Sequence, residues 1–110
     1  MKFPAFLTLA SVLFISACTS TPQDNTDVHQ YRCESGEVIT ASYPDNDSAS
    51  IEYKDRRYDM QIAISGSGVR YVGGEREWWT KGTGPGAEGT LFQHRADGAT
   101  GQRIERCREH

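Results

Sequence analysis

Two short stretches hold the residues best suited to act on a partner: Ile64-Ser65-Gly66-Ser67-Gly68-Val69-Arg70-Tyr71 and Trp78-Trp79-Thr80-Lys81-Gly82. Ser67 and Lys81 lie fourteen positions apart, with Gly73-Gly74 as a turn between them. If the two stretches pair as a β-hairpin across that turn, a small hydroxyl and a long ammonium meet at one rim. Glycines on either side keep bulk away from both. The hydroxyl can donate or accept a hydrogen bond, and the ammonium can pair with a carboxylate. Covalent catalysis would ask for more. The GxSxG pattern fails at Ser65 and Val69, and no serine stands three residues before a lysine. The pair reads as a protruding binding key rather than a catalytic pocket.

The remaining motifs carry less. Gly84-Pro85-Gly86-Ala87-Glu88-Gly89 matches GxGxxG by letter, but dinucleotide binding needs a strand before it, a helix after it and a larger α/β unit. It is expected to be a loop. His29, His94 and His110 are scattered, form neither HExxH nor a Cys/His pattern, and read as solvated surface residues. The sequence therefore points to no enzyme, no metal and no cofactor. Trp78-Trp79 places adjacent indoles on opposite faces of a strand. One should enter the core, and the other, if exposed, marks contact with a partner or stacks on a sugar. A non-enzymatic peptidoglycan- or glycan-binding protein is thus the alternative reading.

The sequence has 110 residues, enough for one small domain. Residues 1–17 read as a secretory signal: Lys2, an apolar run from Phe3 to Ile15, then small residues. The run is too short to span a membrane. Ile15-Ser16-Ala17-Cys18 resembles a bacterial lipobox, which implies lipidation at Cys18. Thr19 rather than an acid follows it, which favours the outer membrane, with the domain facing the periplasm. Residues 18–27 are polar and read as a tether, and residues 28–110 as the folded domain. Without residues 1–17 the chain loses only Lys2, leaving 11 basic and 15 acidic side chains and a formal charge of −4. That balance argues against nucleic acid and suits a basic partner. With Cys18 given to lipid, Cys33 and Cys107 form a natural disulfide in an oxidising compartment.

The elements that must position Ser67 and Lys81 follow a period of two. Short strands are expected around Tyr31 and Cys33, over Glu37–Tyr43, Ser50–Tyr53, Arg57–Ile64, Val69–Tyr71, Glu75–Lys81, Thr90–Arg95 and Arg103–Cys107. A turn is expected over Tyr43–Asp47. Tyr58, Met60, Ile62 and Ile64 share one face. Eight strands separated by turn signals imply an all-β fold, a small antiparallel barrel that leaves no exposed edge, stapled by one disulfide.

Taken together, these residues resemble the membrane-bound lysozyme inhibitors of c-type lysozyme, the MliC/PliC family of Gram-negative bacteria. The resemblance rests on Tyr31-Arg32-Cys33, Ser65 to Tyr71, Trp78 to Gly82 and Cys107. The family's Ser-Gly-x-x-Tyr motif falls on Ser67, Gly68 and Tyr71, and its Thr-Lys-Gly motif on Thr80, Lys81 and Gly82. The resemblance implies an inhibitor that inserts Ser67 and Lys81 into the lysozyme cleft, the serine meeting the catalytic aspartate and the lysine the glutamate. Tyr71 and Thr80 would brace the hairpin or line the contact. Two features depart from the family pattern. Arg76 stands where a tyrosine usually precedes the lysine by five positions, bearing on contacts that flank Lys81. The loop over residues 82–89 is longer than usual and bears on the shape of the rim.

Overall fold

A computed structural model describes residues 28–110, so the signal-like segment 1–17, Cys18 and the tether through residue 27 lie outside the described residues. Eight strands form in chain order: β1 (Val28–Cys33), β2 (Val38–Asp45), β3 (Ser48–Tyr53), β4 (Arg56–Ala63), β5 (Val69–Gly73), β6 (Arg76–Lys81), β7 (Glu88–His94) and β8 (Thr100–Glu109). Each pairs antiparallel with the next, and β8 returns to β1, closing the barrel. The expected all-β antiparallel barrel is what the chain forms.

Alternation selects the interior. Tyr31, Ile39, Ala41, Ala49, Ile51, Tyr58, Met60, Tyr71, Trp78 and Leu91 all point inward and are buried. Trp78 is the largest fully buried side chain, and its ring fits because β7 carries Gly89 beside it: a Cβ there would overlap the indole. Tyr31 packs edge-on against Trp78 at 5.0 Å between centroids. Burying side chains of this size contributes about 1.5–3 kcal/mol each. Cys33 and Cys107 face each other in the β1–β8 register and are bonded, so the disulfide seals the seam where the first strand meets the last.

Element ends shift from the sequence reading in one instructive place. The expected Tyr43–Asp47 turn is mostly strand, because β2 runs on through Pro44 to Asp45 across a register shift after Ser42. Such a bulge accommodates a proline that cannot donate to the ladder. The turn shrinks to Asn46-Asp47, held by Asp45 Oδ1, which accepts from the Asp47 amide (2.8 Å) and the Ser48 hydroxyl (2.9 Å).

The barrel has two ends. At one, tight turns join β1–β2, β3–β4, β5–β6 and β7–β8. The β5–β6 turn takes positive φ at Gly74 and Glu75, the mirror-image geometry that suits a two-residue hairpin. At the other end lie the β4–β5 loop (residues 64–68), the β6–β7 loop (residues 82–87) and the terminus of β8. Ser67 and Lys81 both belong to this second end, the mouth.

Candidate functional site

The β5–β6 register carries Tyr71↔Trp78, Arg70↔Trp79 and Val69↔Thr80. The next step brings Gly68 against Lys81, at the open end of the hairpin whose turn is Gly74-Glu75. Gly68 has φ of 68°, and a Cβ there would strike the Thr80 carbonyl and lie 3.0 Å from Lys81 Cγ. Only glycine lets the Ser67 loop rest so closely on the lysine stem. Ser67 and Lys81 are exposed, whereas Tyr71 and Thr80 are buried. Gly82 turns the chain away with φ of 83°. The expected hairpin therefore exists, with Tyr71 and Thr80 on its buried inner floor rather than its surface.

Around that floor the mouth is aromatic and hydrogen-bonded. Tyr43 accepts from the Trp78 indole N–H (3.1 Å) and shares a hydrogen bond with the Tyr31 hydroxyl (3.1 Å). Tyr71 lies 5.6 Å from Tyr43, and His29 lies 5.5 Å from it on another side, between centroids. Burial pushes the hydroxyl pKa of Tyr31, Tyr43 and Tyr71 upward, so these groups stay neutral. His29 Nδ1 is bonded to Glu109 at the end of β8.

The β4–β5 loop is tied down from outside the barrel. Ser65 Oγ donates to the Gly68 carbonyl (3.0 Å), and Arg70 Nη1 donates to the Ile64 carbonyl (3.3 Å). Arg70 is fixed in turn by Glu77, whose side chain is fully buried although it points away from the core. Glu77 Oε1 accepts from Arg70 Nε (2.7 Å), Trp79 Nε1 (3.1 Å) and Thr100 Oγ1 (2.8 Å), and Oε2 pairs with His94 Nδ1 (2.8 Å). Burial alone would raise this carboxyl's pKa. The hydrogen bonds from Arg70, His94, Trp79 and Thr100 outweigh burial and bring it down to about 2. One carboxylate thus fastens residues from β5 through β8, and through Arg70 it reaches the loop that carries Ser67.

Several expectations change here. His94 and His29 are half-buried partners of Glu77 and Glu109, not solvated bystanders; only His110 is exposed. Trp79 is not a free platform: its N–H is taken by Glu77, Phe92 stands edge-on at 6.0 Å, and the Arg70 guanidinium lies 5.8 Å from its ring. Arg76 sits at the start of β6 by the tight turn, with its guanidinium 5.8 Å from the Tyr58 ring. Five residues of strand, roughly 17 Å, separate it from Lys81, so it does not flank the lysine. The GxGxxG stretch divides: residues 82–87 are loop, while Glu88 and Gly89 open β7. That loop is pinned to β8, the Gly86 amide donating to the Glu109 carbonyl and the Glu109 amide to that of Ala87 (both 2.8 Å).

Glu77 was not recognisable in advance. It occupies a polar phase of the alternation, where a carboxylate is ordinarily solvated, and its four donors come from four different strands.

The described residues thus form a closed antiparallel barrel with Ser67 and Lys81 exposed at one of its ends. Residues 31–100 match the family described as membrane-bound lysozyme-inhibitor of c-type lysozyme, and the chain belongs to that family. Two curated relatives are both named membrane-bound lysozyme inhibitor of C-type lysozyme. One, from Cupriavidus necator, is 38% identical over 65 residues, covering 56% of this chain and 49% of the relative. The other, from Pseudomonas aeruginosa, is 36% identical over 66 residues with the same coverage. The matched stretch thus spans about half the length of these relatives.

Proposed function

We propose that this protein inhibits c-type lysozyme by presenting Ser67 and Lys81 to the enzyme's catalytic carboxyl groups. The observation that supports the reading is the close approach of Gly68 to the Lys81 stem, next to Ser67, with both Ser67 and Lys81 exposed at the same end of the barrel. Such lysozymes cut glycosidic bonds with a protonated glutamic acid and an ionised aspartate. The Lys81 ammonium pairs with the glutamate and the Ser67 hydroxyl bonds the aspartate, so neither carboxyl is free for substrate. Gly68 and Gly82 give the two groups clearance, and Tyr71 and Thr80 support them from below. No chemistry is performed by the inhibitor. Its acidic balance speeds encounter with a basic enzyme. Lipid on Cys18 anchors the domain to the outer membrane, facing the periplasm, with residues 19–27 as tether.

The test is a cell-wall clearance assay with hen egg-white lysozyme and the oxidised chain over residues 19–110, which includes every strand of the barrel. Stoichiometric loss of lysis is expected. Lys81→Ala should weaken inhibition by a few kcal/mol, about 100-fold or more, because it strands a buried carboxyl group. Ser67→Ala should cost less, since a neutral hydroxyl makes the weaker bond. Full inhibition by a folded Lys81→Ala protein refutes the assignment.

A further inference from the structure

The rim carries a second feature beside its polar pair. Ile62, Ile64 and Val69 are three of the five large hydrophobic side chains exposed among the described residues, and they share one corner of the mouth. Ile64 is 95% exposed. The cause lies in the stagger of the barrel. Ile62 stands opposite Tyr71 and therefore belongs to the inward-facing row of β4, with Ile64 two positions on. Val69 precedes Tyr71 by two in the inward row of β5. These rows run past the rim, where no opposite wall remains to cover them.

An exposed aliphatic side chain on a loose loop would mean little. Here the backbone beneath it is held. The Ile64 carbonyl accepts from Arg70 Nη1, Arg70 is locked to the buried Glu77, and Ser65 closes the turn on Gly68. A side chain presented on fixed backbone loses little entropy when it is covered.

From this we infer that Ile64, flanked by Ile62 and Val69, is an apolar anchor that docks on the hydrophobic wall of the cleft whose carboxyl groups Ser67 and Lys81 address. The inference rests on the inhibitor reading and adds a contact to it. Continuity selects the occupant: Val69 pairs with Thr80, the neighbour of Lys81, and Gly68 packs on the Lys81 stem. The Lys81 stem and the aliphatic corner thus border the same β4–β5 loop. Covering that corner also removes water from around the Lys81 ion pair, where exclusion of solvent strengthens the attraction. A second copy of this chain fits less well, because three side chains cover far less than the roughly 1,200 Å² buried in a stable protein interface.

The experiment measures binding of hen egg-white lysozyme to the oxidised chain over residues 19–110 by surface kinetics, with sedimentation of the free inhibitor in parallel. Ile64→Ser should raise Kd by about tenfold to a hundredfold, the range expected for losing one buried aliphatic side chain. The change should appear in the off-rate, with thermal unfolding unaltered because the side chain is already in water. Ile64→Leu should restore most of the affinity. Val38→Ser, an equally simple change of an exposed aliphatic residue at the opposite end of the barrel, should leave Kd unchanged. If Ile64→Ser binds like the wild type while Lys81→Ala is impaired, the anchor is refuted and the inhibitor reading stands. If Ile64→Ser changes the sedimentation state and not the lysozyme affinity, the corner is a self-association site and the anchor is refuted. A wild-type protein that ignores lysozyme overturns both readings together.

Discussion

Replacing Glu77 by glutamine should flatten the acid branch of this protein's stability curve. The carboxyl is fully buried on the outer side of the barrel, and its pKa is held at about 2 against an ordinary 4.5. A folded-state pKa below the unfolded value means that the stabilisation is complete above about pH 4.5. It is lost as the pH falls from there through about 2. The gap between 4.5 and about 2 corresponds to roughly 3 kcal/mol, a large share of the stability of a small domain. Urea unfolding followed by tryptophan fluorescence, repeated from pH 7 to pH 2, measures it. The wild type should lose about 3 kcal/mol more than Glu77→Gln over that window. The variant should already be weaker at neutral pH, since Arg70 then faces a neutral partner. Because every other carboxylate is common to both proteins, the difference isolates Glu77. Parallel curves would refute the claim that four donors hold this carboxylate ionised. If Arg70 also carries the loop, Glu77→Gln should weaken lysozyme inhibition at neutral pH despite its distance from the rim.

Two further outcomes test the frame around the rim. Gly68→Ala should lower stability by about 1–3 kcal/mol, because the added Cβ meets the Thr80 carbonyl at a positive φ; urea titration reads the first effect, and weakened clearance-assay inhibition the displacement of Ser67. Reducing Cys33–Cys107, which encloses a separation of 74 residues, should cost about 4–5 kcal/mol by loop entropy. Denaturant midpoints with and without reductant measure it, and an unchanged midpoint would mean that the reduced chain keeps the barrel's seam closed.

The β-strands, the barrel and the cysteine pair were legible because each depends on local pattern or simple counting. Period-two alternation put Tyr58 and Met60 on one face and sent one of Trp78 and Trp79 to the core, which proves to be Trp78, and with Cys18 set aside only one cysteine pair remained. The hairpin that carries the Ser67 and Lys81 motifs was legible for a similar reason, since the glycine turn and the two short strands lie close together in the chain. Alternation put Ile64 on one face with Tyr58 and Met60, but it could not tell that Ile64 is exposed while they are buried, because that depends on where the strand leaves the barrel wall.

His94 and Glu77 show the complementary limit. Seventeen positions separate them, and nothing in that spacing says that a carboxylate in an outward phase will be roofed by an arginine, an indole, a threonine and an imidazole. Arg76 and Lys81 lie on one strand, but the sheet puts them at opposite ends of the barrel. By itself the sequence determined the strands and the hairpin that carries Ser67 and Lys81, because side-chain alternation and turn geometry act over a few residues. Tertiary structure alone decided which polar groups became partners and which apolar ones were left bare. Barrel closure sets the contacts between distant strands and the point at which each strand runs out of a neighbour to cover it.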